Sequence, residues 1–347
     1  MTMTRNELAR RLATLTGFAY AGVYDPQHHR APTYFVPSDT LTQERAARIG
    51  VRREEDLFGG VVPYPFVATK TITHPLVDPG SRAPSGWSAE FPRRVAEVVL
   101  AGFAAFTKED AMKAGHALLE RGAVRVKPGA GIAGLGQSVV DTVANLAAAI
   151  DAIEPEAMSA SGVVVEENLV DVTTYSIGQV RVADCIGTYY GTQTTTTNHH
   201  GAEVYGGSDL TVVRGGFDTL LAGPLSADAK LAIAQARAYD AAARECFAGL
   251  YASRRNYDVA QGRDGTGTLR SGVLEQSWRL GGASGAEIGA LEAFRANPSL
   301  KVVRAKTREI YGETPELPEA AVIYYSGVDA RVGALTKYAL TESDADT

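Results

Sequence analysis

The sequence predicts a mixed α/β (α+β) chain built in more than one lobe. Three observations lead there. Between Val98 and Pro155, strand-like and helix-like segments alternate with regular punctuation. From Thr174 to about Gly207, long Thr- and Tyr-rich runs broken by glycine read as antiparallel hairpins. A loop rich in Pro, Gly and Ser, "VDPGSRAPSGWS" from Val77 to Ser88, interrupts the pattern and marks a lobe boundary or mobile connection.

Each element has its own signal. "MTMTRNELARRLATLTGF" is an amphipathic helix with no apolar core of signal-peptide type. "FAYAGVY" and "TYFVP" are strand-like, and "LTQERAARIGV" is a short helix. Thr107 and Asp110 form a capping-box pattern ahead of "KEDAMKAGHALLERG", and Gly122 stands where a helix C-terminal glycine belongs. The strand "AVRV" runs into the glycine-rich "KPGAGIAGLG". A second helix is expected from Ser138, with Val139, Val143, Leu146, Ile150 and Ile153 at helical spacing until Pro155. "GVVVEENL" is a buried strand ending in two acids. An Ala-rich helix spans about Ser226 to Phe247, and two strands flank the turn "GRDGTG" as a hairpin. The tail offers a helix near Gly285 to Arg295, one strand in "AAVIYY", and a frayed end, "TESDADT".

Bulk composition narrows the function. With 347 residues, 45% hydrophobic, 21% charged and a net charge of -6, the chain lacks the cationic surplus of a nucleic-acid binder. No run approaches the ~20 apolar residues of a spanning helix. Cys185 and Cys246 are too few and too far apart for a disulfide framework or zinc site. The expectation is a cytoplasmic protein without nucleic-acid or membrane partners.

Two places carry chemistry. If the hairpin turns near Asp264 and Gly265, Asp258 lies close to the stretch containing Glu275, and Glu275 and Ser277 project from one face. Oxygen ligands so grouped suit Mg²⁺ shared with phosphates; the plainer alternative is a surface acid pair balanced by Arg254, Arg255 and Arg279. Lys127, at a strand end before a glycine loop, can place an ammonium on phosphates. Read from Gly129, the same loop fits a dinucleotide turn, but Lys127-Pro128 blocks the entry such a turn needs, and the paired acids would be left without a job. His199 and His200 read as a polar loop, and His28, His29 and His74 have no partner pattern.

Taken in order, strand lysine, glycine loop, helix, acidic strand end, hairpins, long helix and paired acids from about Val98 to Ser284 resemble the ATP-grasp superfamily. The segments "FGGVVPYPFVATKTITHPLV", "YYGTQ", "SRRNYDVAQG" and "VLEQSWRLGGASGAEI" are similar to an ATP-grasp-related family of unknown function whose members are often labelled biotin-carboxylase-like. The resemblance implies an ATP-grasp fold: an N-terminal pre-ATP-grasp lobe over 1–95, an ATP-grasp domain of two subdomains over 96–300 with the nucleotide between them, and a C-terminal extension over 301–347. It implies ATP held by Lys70, Lys127, Gly129, Gly131, Gly134, Gly136 and Gln137 at the phosphates, and by Glu166, Glu167 and Leu169 at adenine and ribose. It implies two Mg²⁺ ions on Asp258, Glu275 and Ser277, where Ser277 departs from the family's asparagine, and catalytic roles for Lys127 and for Arg255 or Arg279. The activity implied is a carboxylate-amine ligase working through an acyl phosphate on small-molecule acids and amines, with amino acids or short peptides the expected substrates. The alternatives are a biotin-carboxylase-like bicarbonate-activating enzyme or an ATP-binding protein whose catalysis has decayed. Dimers are common among such enzymes, and a homodimer is compatible with the sequence.

Overall fold

A computed structural model describes residues 2–29, 32–131, 136–312, 315–329 and 332–342. Helix α1 (Thr2–Thr16) buries Leu8, Leu12 and Leu15. These residues lie in the same core cluster as the last helix of the chain, so the N-terminus is tied to the far end of the molecule. The run "FAYAGVY" forms no strand, and "TYFVP" contributes only a bridge from Phe35 to Leu57. Strands β1 (Leu41–Thr42) and β2 (Gly60–Val62) flank α2 (Gln43–Ile49), whose first turn is capped by Thr42. They make a small sheet with the distant segment Tyr251–Ala252. Short 3₁₀ turns over Pro65–Ala68 and Lys70–Thr73 then bring a buried lysine and histidine inward.

The Pro/Gly/Ser-rich loop is packed. Trp87 lies against Phe66 and Phe106, and Ser81 donates to Asp110 at 2.8 Å. Helix α3 (Glu90–Val95) leads into β3 (Gly102–Ala105) and α4 (Lys108–Leu119). Thr107 caps α4 as its spacing predicts, accepting from the Asp110 amide at 3.1 Å and donating to the Asp110 carboxylate at 2.8 Å. Strand β4 (Val124–Pro128) follows. The helix expected from Ser138 starts later: Ser138–Val140 is strand β5, returning antiparallel onto β4, and Thr142 caps α5 (Val143–Asp151). The β-branched pair Val139-Val140 favours the hairpin return, and only Leu146 and Ile150 of the supposed stripe are fully buried in α5. Pro155 opens α6 (Pro155–Ser161) rather than ending a helix, and β6 (Val163–Glu167) completes a four-stranded antiparallel sheet in the order β3-β6-β4-β5. One face of that sheet packs Val124, Val126, Val163 and Val165 on α4 and α5. The register puts Lys127 beside Val164, and Glu166 between Gly102 and Arg125, on the opposite face.

After Asn168 the chain enters an eight-stranded antiparallel sheet. Strands β7 (Val170–Val182), β8 (Cys185–Thr197) and β9 (Glu203–Arg214) form consecutive hairpins. Helices α7 (Phe217–Leu221) and α8 (Ala227–Cys246) follow, then β10 (Tyr251–Ala252), already met in the small sheet. The hairpin of β11 (Arg254–Arg263) and β12 (Leu269–Ser277) docks on β7, and α9 (Ser284–Ala296) crosses the other face. The tail holds three strands where the sequence signals one. These are β13 (Val302–Tyr311), β14 (Val322–Asp329) and β15 (Gly333–Glu342), and they extend the sheet from β9 as β13-β15-β14. Thr341 and Glu342, from the end expected to fray, belong to β15; residues 343–347 lie outside the described residues.

A buried ion pair joins β11 to α9. Arg254 Nη2 lies 2.8 Å from Glu287 Oε1, and both side chains are almost wholly enclosed. Tyr189 donates to the same carboxylate at 2.5 Å, and Arg254 also donates to the carbonyls of Ser277 and Arg279. Removing one partner strands a charge in a dry environment. Glu287→Ala should therefore lose about 3–5 kcal/mol in chemical denaturation. Glu44→Ala, which breaks only the exposed pair with Arg48, should be close to neutral. Equal losses would show that burial is not what gives the Arg254–Glu287 pair its weight.

Candidate active site

The site forms where the inner face of the four-stranded sheet meets the β11–β12 hairpin. Lys127 and Glu166 are neighbours across β4 and β6, and their side chains form an ion pair while each is less than 5% exposed. His74, which follows the 3₁₀ turn, approaches the second carboxylate oxygen, with Nε2 3.1 Å from Glu166 Oε2. Burial alone would raise the Glu166 carboxyl. The Lys127 ammonium and then His74 overcome that and hold it at about 2.

Lys70 is the second buried cation. Its Nζ donates to the carbonyl of Gly131 at 2.9 Å and lies 2.7 Å from Glu275 Oε2. One ammonium thus ties the start of the glycine loop to the hairpin. The turn position places Asp258 near the stretch containing Glu275, and the β11–β12 register, with its shift at Asp258/Val259, sets the two directly opposite. Burial, followed by the facing Glu275 charge, raises the Asp258 carboxyl to about 7, against the opposing hydrogen bond from Gln193 Nε2 at 2.7 Å.

Several expected site residues are engaged elsewhere. Ser277 pairs with Asn256, one step beyond Asp258, and its hydroxyl accepts from Arg254 Nη1 at 3.1 Å. Arg255 points to the opposite face of the sheet, where it pairs with Asp240 of α8 at 3.4 Å and donates to Gln179. Strand alternation sends neighbours to opposite faces, so a catalytic Arg255 does not fit this geometry. Arg279 keeps partial exposure, with Asp39 at 3.6 Å and the Leu280 carbonyl at 3.1 Å.

The glycines divide in the same way. The amide of Gly129 donates to the Gly162 carbonyl at 2.8 Å and that of Gly131 to Pro128 at 3.0 Å, so neither is free for phosphate in this conformation. A Cβ at Gly129 would stand 2.0 Å from the Ser161 carbonyl oxygen, so close backbone approach accounts for that glycine. Gly136 has φ +76° and Gln137 is half-buried; Gly134 lies outside the described residues. Glu167 spends both its amide and its carboxylate on Ala101, at 2.8 and 2.9 Å, and Leu169 packs with Leu100 and Ala260.

Sequence reasoning missed His74, whose partner lies 92 residues away, and Gln193 in the Thr-rich strand. Neither carries a local signal. A cavity of about 420 Å³ bordered by Arg121, Glu167, Gln235 and Arg270 adjoins the strand β6 end rather than the lysines.

A family model matches residues 1–339. The chain belongs to the family described as "Protein of unknown function (DUF3182)". No curated protein matches it. Among solved structures it is similar to the phosphoribosylamine–glycine ligase of Thermotoga maritima, at 14% identity over 98% of this chain and 90% of that one, with a TM-score of 0.52. It is also similar to the biotin carboxylase of Campylobacter jejuni (14% identity, 72% of this chain and 60% of that one, TM-score 0.40). A third is D-alanyl-alanine synthetase A of Vibrio cholerae (15%, 70% and 67%, TM-score 0.40). The chain spans about three fifths of the biotin carboxylase's length. The fold of this family member is the ATP-grasp fold. Among the described residues, no helix is long and apolar enough to cross a membrane.

The pair Asp258 and Glu275 fits a cation better than it fits itself. Two facing carboxylates repel, which adds to burial in raising the Asp258 carboxyl, and no cage of three or more metal-ligating side chains surrounds them among the described residues. Such a pair suits a divalent ion whose remaining ligands are phosphate and water. The pH sign follows from the raised value. Asp258 ionises at about 7 in the folded chain but at 3.8 when unperturbed, so its contribution to stability is complete below pH 3.8 and is lost as pH rises through 7. Asp258→Asn should flatten the stability profile between those limits in denaturation measured across pH. An unchanged slope would assign the pH dependence to other groups.

Proposed function

We propose that the chain is an ATP-dependent carboxylate-amine ligase. The observation that carries this reading is the double contact of Lys70, which joins the loop after Lys127 to the Asp258–Glu275 pair. A phosphate chain lying along that line would meet an ammonium from each side and the carboxylate pair at its end. The fold and the ligases and carboxylases named above support an enzyme of this general type.

In the proposed reaction a substrate carboxylate oxygen attacks the γ-phosphorus, the bond to the β-phosphate oxygen breaks, and ADP leaves. The amine nitrogen then attacks the acyl carbon; phosphate departs, and the amine loses a proton. Lys127 and Lys70 hold the phosphate oxygens, each exchanging a carboxylate partner for phosphate. Asp258 and Glu275 would hold Mg²⁺, which when bound supplies charge neutralisation at the β and γ oxygens. Glu275 already pairs with Lys70, so a cation held by Glu275 would share that carboxylate with the lysine. Of the arginines at this end of the hairpin, Arg279 keeps the exposure needed to reach a substrate oxyanion, whereas Arg254 and Arg255 are buried in pairs. Both lysines are buried, so nucleotide would have to gain access to them before binding, and water would be kept from the acyl phosphate once it is bound.

Amino acids and short peptides are the substrates proposed. Pairs of such compounds, assayed by phosphate release, should give slow release singly and a marked rise for one pair, with a product equal in mass to both partners minus water. Lys127→Ala should lose the thermal shift given by ATP and Mg²⁺, and Asp258→Asn or Glu275→Gln should abolish turnover. Ser277→Ala should be milder, since its hydroxyl already serves Arg254. Phosphate release driven by bicarbonate without any amine would replace the ligase reading with a carboxylase.

A further inference from the structure

We propose that His74 is a positioning residue for nucleotide binding: by fixing Glu166 it sets where the Lys127 ammonium rests and how readily that ammonium transfers to a phosphate. The inference rests on the reading of Lys127 as a phosphate ligand. His74 is 1% exposed, and its Nε2 faces Glu166 Oε2 while Lys127 holds Oε1. Nδ1 is buried with no hydrogen-bond partner. An ionised carboxylate only accepts, so Nε2 carries a proton and donates it to Glu166. Glu166 is thereby held at both oxygens.

Gly102 makes the arrangement fit. It lies directly across from Glu166 in the β3–β6 register. A Cβ there would stand 2.8 Å from His74 Cε1, 2.9 Å from Nδ1 and 2.9 Å from the Glu166 Cβ, although the backbone conformation itself would admit any residue. The glycine therefore leaves space for the histidine ring and the carboxylate together, and not for a turn. A carboxylate still held by His74 at Oε2 cannot follow Lys127 when the lysine moves to phosphate. Freed from His74, Glu166 has an unsatisfied buried oxygen that the same ammonium can satisfy, and Lys127 is held back.

The test is calorimetric titration of MgATP into the full chain, extended into the millimolar range. His74→Leu should weaken binding roughly tenfold, the scale of one buried hydrogen bond to a charged group. His74→Gln, which keeps an N–H near the Nε2 position, should restore most of the affinity. His74→Asn keeps a polar side chain but places its amide near Nδ1, and should behave like His74→Leu; it serves if the leucine variant does not fold. In a Lys127→Met background, His74→Leu should cost nothing further, because the histidine acts through the lysine. Wild-type affinity in both folded His74→Leu and His74→Asn, or an equal loss with Lys127 already removed, overturns the proposal while leaving the phosphate role of Lys127 standing. Unchanged affinity in Lys127→Met alone overturns both.

Discussion

Two lysine ammoniums held out of water, each against a carboxylate from another segment, constrain the rest of this structure. A lone buried ammonium is too costly to persist and would lose its proton or stay unfolded. Lys127 is satisfied by Glu166 across two strands of the four-stranded sheet, and Lys70 by Glu275 on the hairpin of the eight-stranded one. The first pair fastens two strands of one sheet, and the second fastens the 3₁₀ turn of Lys70 to the hairpin of the eight-stranded sheet. The Pro/Gly/Ser-rich segment and its Trp87 anchor hold the intervening chain to the same geometry.

Strand alternation then decides which side chains share the site. On β11, Arg254, Asn256 and Asp258 face one way, and Arg255 and Tyr257 face α8. Asp240 of α8 collects Arg255, Arg244 and the Tyr257 hydroxyl, while Glu287 of α9 collects Arg254 and the Tyr189 hydroxyl. The adjacent arginines 254 and 255 thus serve as struts to opposite helices. Their absorption into structure leaves Lys70 as the cation paired with Glu275.

Much of the architecture was legible in the sequence, because its signals are local. The Thr107 cap, the Ala-rich helix after Ser226 and the hairpin around Asp264 each carry their own turn or capping chemistry. The turn position brought Asp258 near the stretch containing Glu275, but their direct opposition depends on the longer turn and the register shift at Asp258/Val259. What was not legible depends on long-range pairing. Strand β15 is marked by no strong alternation of its own, and β13, although Val303, Ala305 and Thr307 alternate with Arg304, Lys306 and Arg308, is placed only by its pairing with β9 and β15. Val139 carries helical spacing, but its register against β4 makes it a strand residue. Glycine likewise looks the same in sequence whether it frees an amide for phosphate or, like Gly129, lets two backbones meet. His74 gave no signal because its meaning comes from Glu166, reached only through the fold.

The contacts that bury the lysines also describe how ligand binding would be coupled to closure. In the state described, every charge that a nucleotide and its metal would meet already has a protein partner of opposite sign or a hydrogen bond: Lys127 has Glu166, Lys70 has Glu275, and Asp258 has Gln193. An incoming phosphate chain must replace these partners rather than fill a vacancy, so its binding energy is the difference between two well-satisfied arrangements. That difference favours a ligand able to engage all the partners at once. A phosphate without a cation would release Lys70 from Glu275 but leave Glu275 and Asp258 facing each other unscreened; a cation alone would compete with Lys70 without giving its ammonium anywhere to go. Nucleotide and cation together relieve both conflicts. In the proposed ligase, the pairing of lysines with carboxylates would thus discriminate for the metal–nucleotide complex through charges that must change partners together.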